Sequence, residues 1–131
     1  MRALSTGLQW AIRITGVAQI ALGLAFWTGN LLTMIPLHML TGLVFVALLE
    51  VQAVLAAFRG VSWRLVGFTI VWGLVVPVLG MTQFQILPGA FHWVVQVAHL
   101  VVGVVAIGLA ERVSRGAGAR LADRSAALVA Q

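Results

Sequence analysis

Cysteine is absent from this 131-residue chain, so disulfides and thiolate metal sites are excluded. Any metal or cofactor has to be held by histidine, carboxylate, methionine sulfur or backbone. Charge is nearly as scarce: charged residues make up 8% of the sequence against 62% hydrophobic ones, and mean hydropathy is +1.09. A water-soluble domain cannot be built from that mixture, because too few polar side chains remain to coat its surface. The chain reads as an integral membrane protein whose first partner is the lipid bilayer. Lysine is missing as well, so the net charge of +5 is carried by arginine alone.

Four apolar segments of about 20 residues, the length a bilayer demands, account for most of the rest. They run over about 7–28, 36–58, 63–81 and 89–110, with "TGN", Pro36, "RGVS" and "LPG" as punctuation between them. Trp10, Trp27, Trp63 and Trp93 fall near the proposed ends, where amphipathic rings sit at the headgroup level. Trp72 alone falls in mid-span. The opening "MRALSTGLQWAIR" resembles a secretory signal, but the exit "FWTGN" lacks a small-x-small cleavage pattern, so the first segment is expected to stay.

The arginines form three groups: Arg2 and Arg13; Arg59 and Arg64; Arg112, Arg115, Arg120 and Arg124. The connectors 29–35 and 82–88 carry no charge. Under the positive-inside rule the arginine groups are cytoplasmic. This predicts an all-α, multi-pass four-helix bundle of the cytoplasmic membrane, with both termini inside. The basic charge then reflects topology and gives no reason to expect a nucleic acid partner. The spans form one domain, 1–111, followed by a basic tail, 112–131, expected to be mobile near the anionic lipid surface.

The second and fourth segments run in the same direction, and "HMLTGLVFVALLE" (38–50) aligns with "HLVVGVVAIGLAE" (99–111). His38 matches His99, Gly42 matches Gly103 and Glu50 matches Glu111. That register points to a duplicated helical hairpin. In both copies the glycine lies one turn after the histidine on the same face, where a missing side chain leaves room for something flat or simply lets two helices approach.

Histidine is the one chemistry-bearing residue placed within the outer halves of the spans. His92 and His99 are seven residues apart, two near-complete turns and about 10.5 Å of height, so they form a column on one face. Measured from the inner arginines, His38 lies level with His92; by the repeat it pairs with His99. Two neutral imidazoles on facing helices of a bundle can take both axial positions of one haem iron. A three-histidine copper or open metal site made of His38, His92 and His99 is the alternative, since no carboxylate lies near them to complete a closed zinc site.

The stretches "GVAQIALGLAFWTGNLLTMIPLHMLTG" and "PGAFHWVVQVAHLVVG" each look like the helix–proline–histidine hairpin of haem A synthase. One half of that protein is a four-helix unit with haem-ligating histidines near the outer side of its second and fourth helices. Bis-histidine four-helix b-type cytochromes are broadly similar. The resemblance is one of architecture and covers nearly all of the membrane part. It implies a haem b ligated by His38 with His92 or His99. A Glu-x-x-His at the outer end of a span is missing, because Ile35, Gly89 and Gln96 stand three residues before the histidines. The resemblance therefore implies haem binding and electron transfer, to or from a quinone or another membrane redox partner, rather than haem modification. Outer connectors without arginine or lysine leave Asn30, Thr33, Thr82, Gln83, Gln85 and backbone amides to meet the propionates.

On the inner side, Arg13 and Glu50 each stand within a span, and the expense of isolated charge in lipid predicts that they pair with each other. Glu111, beside Arg112, is expected to be solvated. A cofactor-free transporter subunit using Glu50 and Arg13 as coupling groups, or a scaffold subunit, are the other function classes. No catalytic residue is assigned. Ala53 and Ala57, a small-x-x-x-small pair, could seat a second copy.

Overall fold

The computed structural model describes residues 2–130, with side chains from Thr6 onward. Arg2, of the first arginine group, thus has no described side chain, and Gln131 lies outside the described residues. The element order is α1 (Arg2–Trp27), a 3-10 turn (Leu32–Met34), α2 (Ile35–Phe58), α3 (Trp63–Thr82), a second 3-10 turn (Gln83–Gln85) and α4 (His92–Val129). No strand occurs among the described residues. The fold is an all-helical bundle, and all four helices are long and apolar enough to cross a membrane, which supports a multi-pass membrane protein.

Local chemistry explains where the helices stop. At the end of α1 the Gly29 N–H donates to the Phe26 carbonyl and the Asn30 N–H to the Ala25 carbonyl, with Gly29 at φ 77°. Gly60, at φ 85°, ends α2 in the same way, donating to Ala57 while Val61 donates to Ala56. Both are Schellman caps, which need a left-handed residue that glycine supplies without a Cβ penalty. Pro36 stands in the first turn of α2, where its missing N–H costs nothing. The turns at the arginine-free end are less relaxed: Leu31 and Leu87 both have positive φ, at 56° and 46°.

Each helix packs against the next, α4 closes on α1, and α2 and α4 also touch across the diagonal. The core fills only part of this bundle. Ile12, Phe45, Val46, Leu49, Ala106 and Ala110 form one buried cluster, and Ala53, Ala56, Val61, Val66, Val113 and Ala117 a second. Both run from mid-bundle toward the arginine-bearing end. Alanines on α2 and α4 permit the close diagonal approach, as small residues do between membrane helices. Ala53 is fully buried in the second cluster, so it is occupied within the bundle and cannot seat a second copy.

Helix α4 departs most from expectation. It begins at His92 rather than 89 and continues unbroken through the segment set apart as a tail, because Val113 and Ala117 still bury their side chains in the second cluster. Trp72, the mid-span tryptophan, has its own explanation: its indole N–H donates to the Val102 carbonyl on α4 at 3.0 Å.

Candidate functional site at the histidine end

Where the packed core stops, a cavity of about 290 Å³ begins, bounded by all four helices and the two connectors of the arginine-free end. His38, His92 and His99 all border it, with Gln19, Gln83 and Gln96 among otherwise apolar walls.

The histidines are not equivalent. His38 on α2 and His99 on α4 face each other, ring centroids 6.4 Å apart and planes inclined at 60°. Nδ1 of each ring is buried without a hydrogen-bond partner. A buried, unpaired polar atom is costly, and each one requires an explanation such as an absent ligand. His92 stands apart, stacked on Phe84 at 5.7 Å, with Nδ1 3.4 Å from the Ile86 carbonyl and Nε2 buried and unpartnered. Of the two rings considered with His38, His99 is the one that faces it. The three histidines do not converge: no group of three metal-ligating side chains is assembled among the described residues. The three-histidine metal set is thereby divided into a facing pair and a separate third ring, because His92 lies two turns further out along α4.

Neighbours hold the facing pair in place. The Gln19 amide on α1 donates to the His38 carbonyl at 3.0 Å and to the Thr41 hydroxyl, tying the first turns of α2 to α1. Phe26 meets the His38 ring edge-on at 5.3 Å. His99 rests against Gly80 on α3, so closely that a methyl group there would lie 3.0 Å from its Cε1. The two glycines expected beside the imidazoles differ: Gly42 borders the cavity, but Gln19 Oε1 would lie 3.2 Å from a Cβ there, whereas Gly103 has open space at its Cβ position but does not border the cavity. The glycine that seats an imidazole is on the helix opposite, and its spacing from the histidine in sequence carries no signal for that.

The charged groups are also arranged differently from expectation. Arg13 pairs with Glu111 rather than Glu50: Nε donates to Oε1 at 2.7 Å and Nη2 to Oε2 at 3.0 Å. Gln9 adds a third donor to Glu111 at 2.7 Å, and the buried Gln52 amide bridges Gln9 Oε1 at 2.6 Å and the Ala110 carbonyl at 3.2 Å. Three helices are thus joined by one polar network in which Gln9 had not been singled out. Glu50 points the other way, against α3, where a methyl group at Gly73 would overlap its Oε1, and that oxygen is buried without a partner. The repeat supplies the reason. Equivalent positions on α2 and α4 face the following helix around the ring, which is α3 for Glu50 and α1 for Glu111.

Comparison with protein-family models, with curated proteins and with solved structures returns no match for this chain.

Proposed function

We propose that this protein is a membrane haem b protein in which His38 and His99 would hold the haem iron, which would supply electron transfer within the cytoplasmic membrane. The observation that supports it is the facing pair: two imidazoles on the diagonal helices, in an apolar cavity, each with a buried ring nitrogen that nothing satisfies. Two ring nitrogens at about 2.0 Å from one metal put the ring centroids roughly 6 Å apart, which agrees with the 6.4 Å here. The donor set suits the group, since neutral imidazoles in a dry shell are ordinary axial ligands. When bound, the haem supplies one-electron transfer between a quinone or membrane redox protein and a second partner.

The chain's own contribution is orientation and dryness. Gln19 fixes the backbone that carries His38, Phe26 limits rotation of its ring, and Gly80 lets His99 sit against α3. Apolar walls from Val76, Met39 and Leu43 exclude water, while Gln83, Gln96 and His92 give the cavity the polar groups that an amphipathic ligand edge requires. The arginine network at the other end belongs to the cytoplasmic face in this reading, with both termini inside.

An optical spectrum of the purified protein tests the proposal. A split reduced-state band, lost in His38→Ala and in His99→Ala but kept in His92→Ala, is expected. A colourless preparation from haem-replete cells overturns it. A second reading, a cofactor-free transporter subunit, rests on the partnerless Glu50 oxygen; it requires Glu50→Gln to abolish transport while the histidine variants remain active.

A further inference from the structure

At the opposite end of the bundle a second cavity, of about 200 Å³, opens where α1, the end of α2 and the distal part of α4 meet. Gln9, Trp10, Arg13, Arg59, Ser114 and Gly118 line it. Three of the polar side chains that line it are already engaged, Gln9 and Arg13 on Glu111 and Thr6 elsewhere. Two are not: among the described residues, neither the Arg59 guanidinium nor the Ser114 hydroxyl has a hydrogen-bond or ion-pair partner. Gly118 leaves part of the wall open, since a methyl group there would meet nothing within 4 Å.

The charge balance at this place is one-sided. Glu111 is neutralised by Arg13, Arg59 has no counter-charge, and the Arg124 guanidinium reaches the adjoining turn, with Nη2 3.7 Å from the position of a Gly60 Cβ. Trp10, half-exposed beneath the Arg13 guanidinium at 5.2 Å, places the cavity at the depth where interfacial aromatics sit. The cavity therefore holds a guanidinium and a hydroxyl without partners beside surplus positive charge, with no carboxylate in its lining to match them.

We propose that this cavity binds a phosphate group, with Arg59 and Ser114 as its donors. A guanidinium offers a planar fork of N–H groups that matches phosphate oxygens, and a hydroxyl adds one more donor. Basic pockets between membrane helices bind anionic headgroups in this way. The phosphate comes either on an anionic lipid or free from solution, and the experiment separates the two. Detergent-purified protein is offered phosphatidylglycerol against a phosphatidylcholine background and retained lipid is counted by native mass spectrometry; inorganic phosphate is titrated calorimetrically in a parallel arm. Arg59→Gln, and Gly118→Leu, which fills the cavity without touching the core, should each lower retention about tenfold, the loss expected for a charge-assisted hydrogen bond. Arg64→Gln, whose guanidinium lies over Trp63 outside the cavity, should leave it unchanged. Arg59-dependent binding in the lipid arm assigns the site to a headgroup, and Arg59-dependent binding in the phosphate arm alone assigns it to soluble phosphate. Binding in neither arm, binding that Arg59→Gln leaves unchanged, or an equal loss in Arg64→Gln overturns the proposal.

Discussion

Gly80→Ala separates the contact described for His99 from the general effect of adding a methyl group to a helix. The new Cβ would lie 3.0 Å from His99 Cε1, whereas carbon atoms pack at about 3.5–4.0 Å. The imidazole therefore has to retreat by about half an ångström or more. It borders a cavity, so the ring gives way and the backbone stays, which keeps the overpacking cost near the low end, about 1 kcal/mol. Against that stands a gain in helix propensity smaller than the roughly 1 kcal/mol of a helix interior, because Gly80 lies in the last turn of α3. The two partly offset, and the variant should unfold at or slightly below the wild-type midpoint. Gly108→Ala provides the comparison: nothing lies within 4 Å of its Cβ, so it keeps the gain. Denaturant unfolding in detergent measures both. A ligand held by His38 and His99 responds independently, because metal–nitrogen distances tolerate only about ±0.2 Å, and the retreat of His99 should perturb the axial spectrum. If Gly80→Ala stabilises as much as Gly108→Ala and leaves the His99 ring resonances unmoved, the imidazole does not rest on α3 and the site is wrongly built.

Three further outcomes follow from the packing and the polar network. Leu49 is fully buried in the first cluster, and Leu49→Ala should cost about 2–5 kcal/mol in unfolding free energy. Trp72→Phe removes the indole bond to Val102 and should cost about 0.5–1.5 kcal/mol in the same assay. Glu111→Gln should lower the thermal midpoint, because Arg13 and Gln9 both depend on that carboxylate, whereas Glu50→Gln should not; equal losses would show that Arg13 is shared between the two glutamates.

The features legible in the sequence were those fixed by local rules. Helix ends at Trp27 and Phe58 follow from glycines that only a left-handed cap requires, and α2 opens at a proline whose ring suits a first turn. The juxtaposition of the His38 and His99 rings agrees with the repeat register, while counting depth from the arginines placed His38 level with His92. What failed were inferences that needed to know which helix a face meets. Arg13 and Glu50 were matched on energetic need alone, yet the same repeat, applied to Glu50 and Glu111, directs one toward α3 and the other toward α1. Gly80 has no sequence signal at all, since its role depends on the His99 ring, which belongs to the next helix and is brought against it only by the packing of α4 on α3. The segment 112–131 reads as a basic tail because its composition is small and basic; α4 runs on into it, and Val113 and Ala117 pack its first turns onto the bundle.

Helix α4 spans 38 residues, about 57 Å at 1.5 Å per residue, nearly twice the roughly 30 Å of a bilayer's hydrocarbon. One uninterrupted helix therefore carries both His99 and Arg124, so the histidine end and the arginine-bearing end of the bundle are built on a single continuous backbone longer than one bilayer crossing needs.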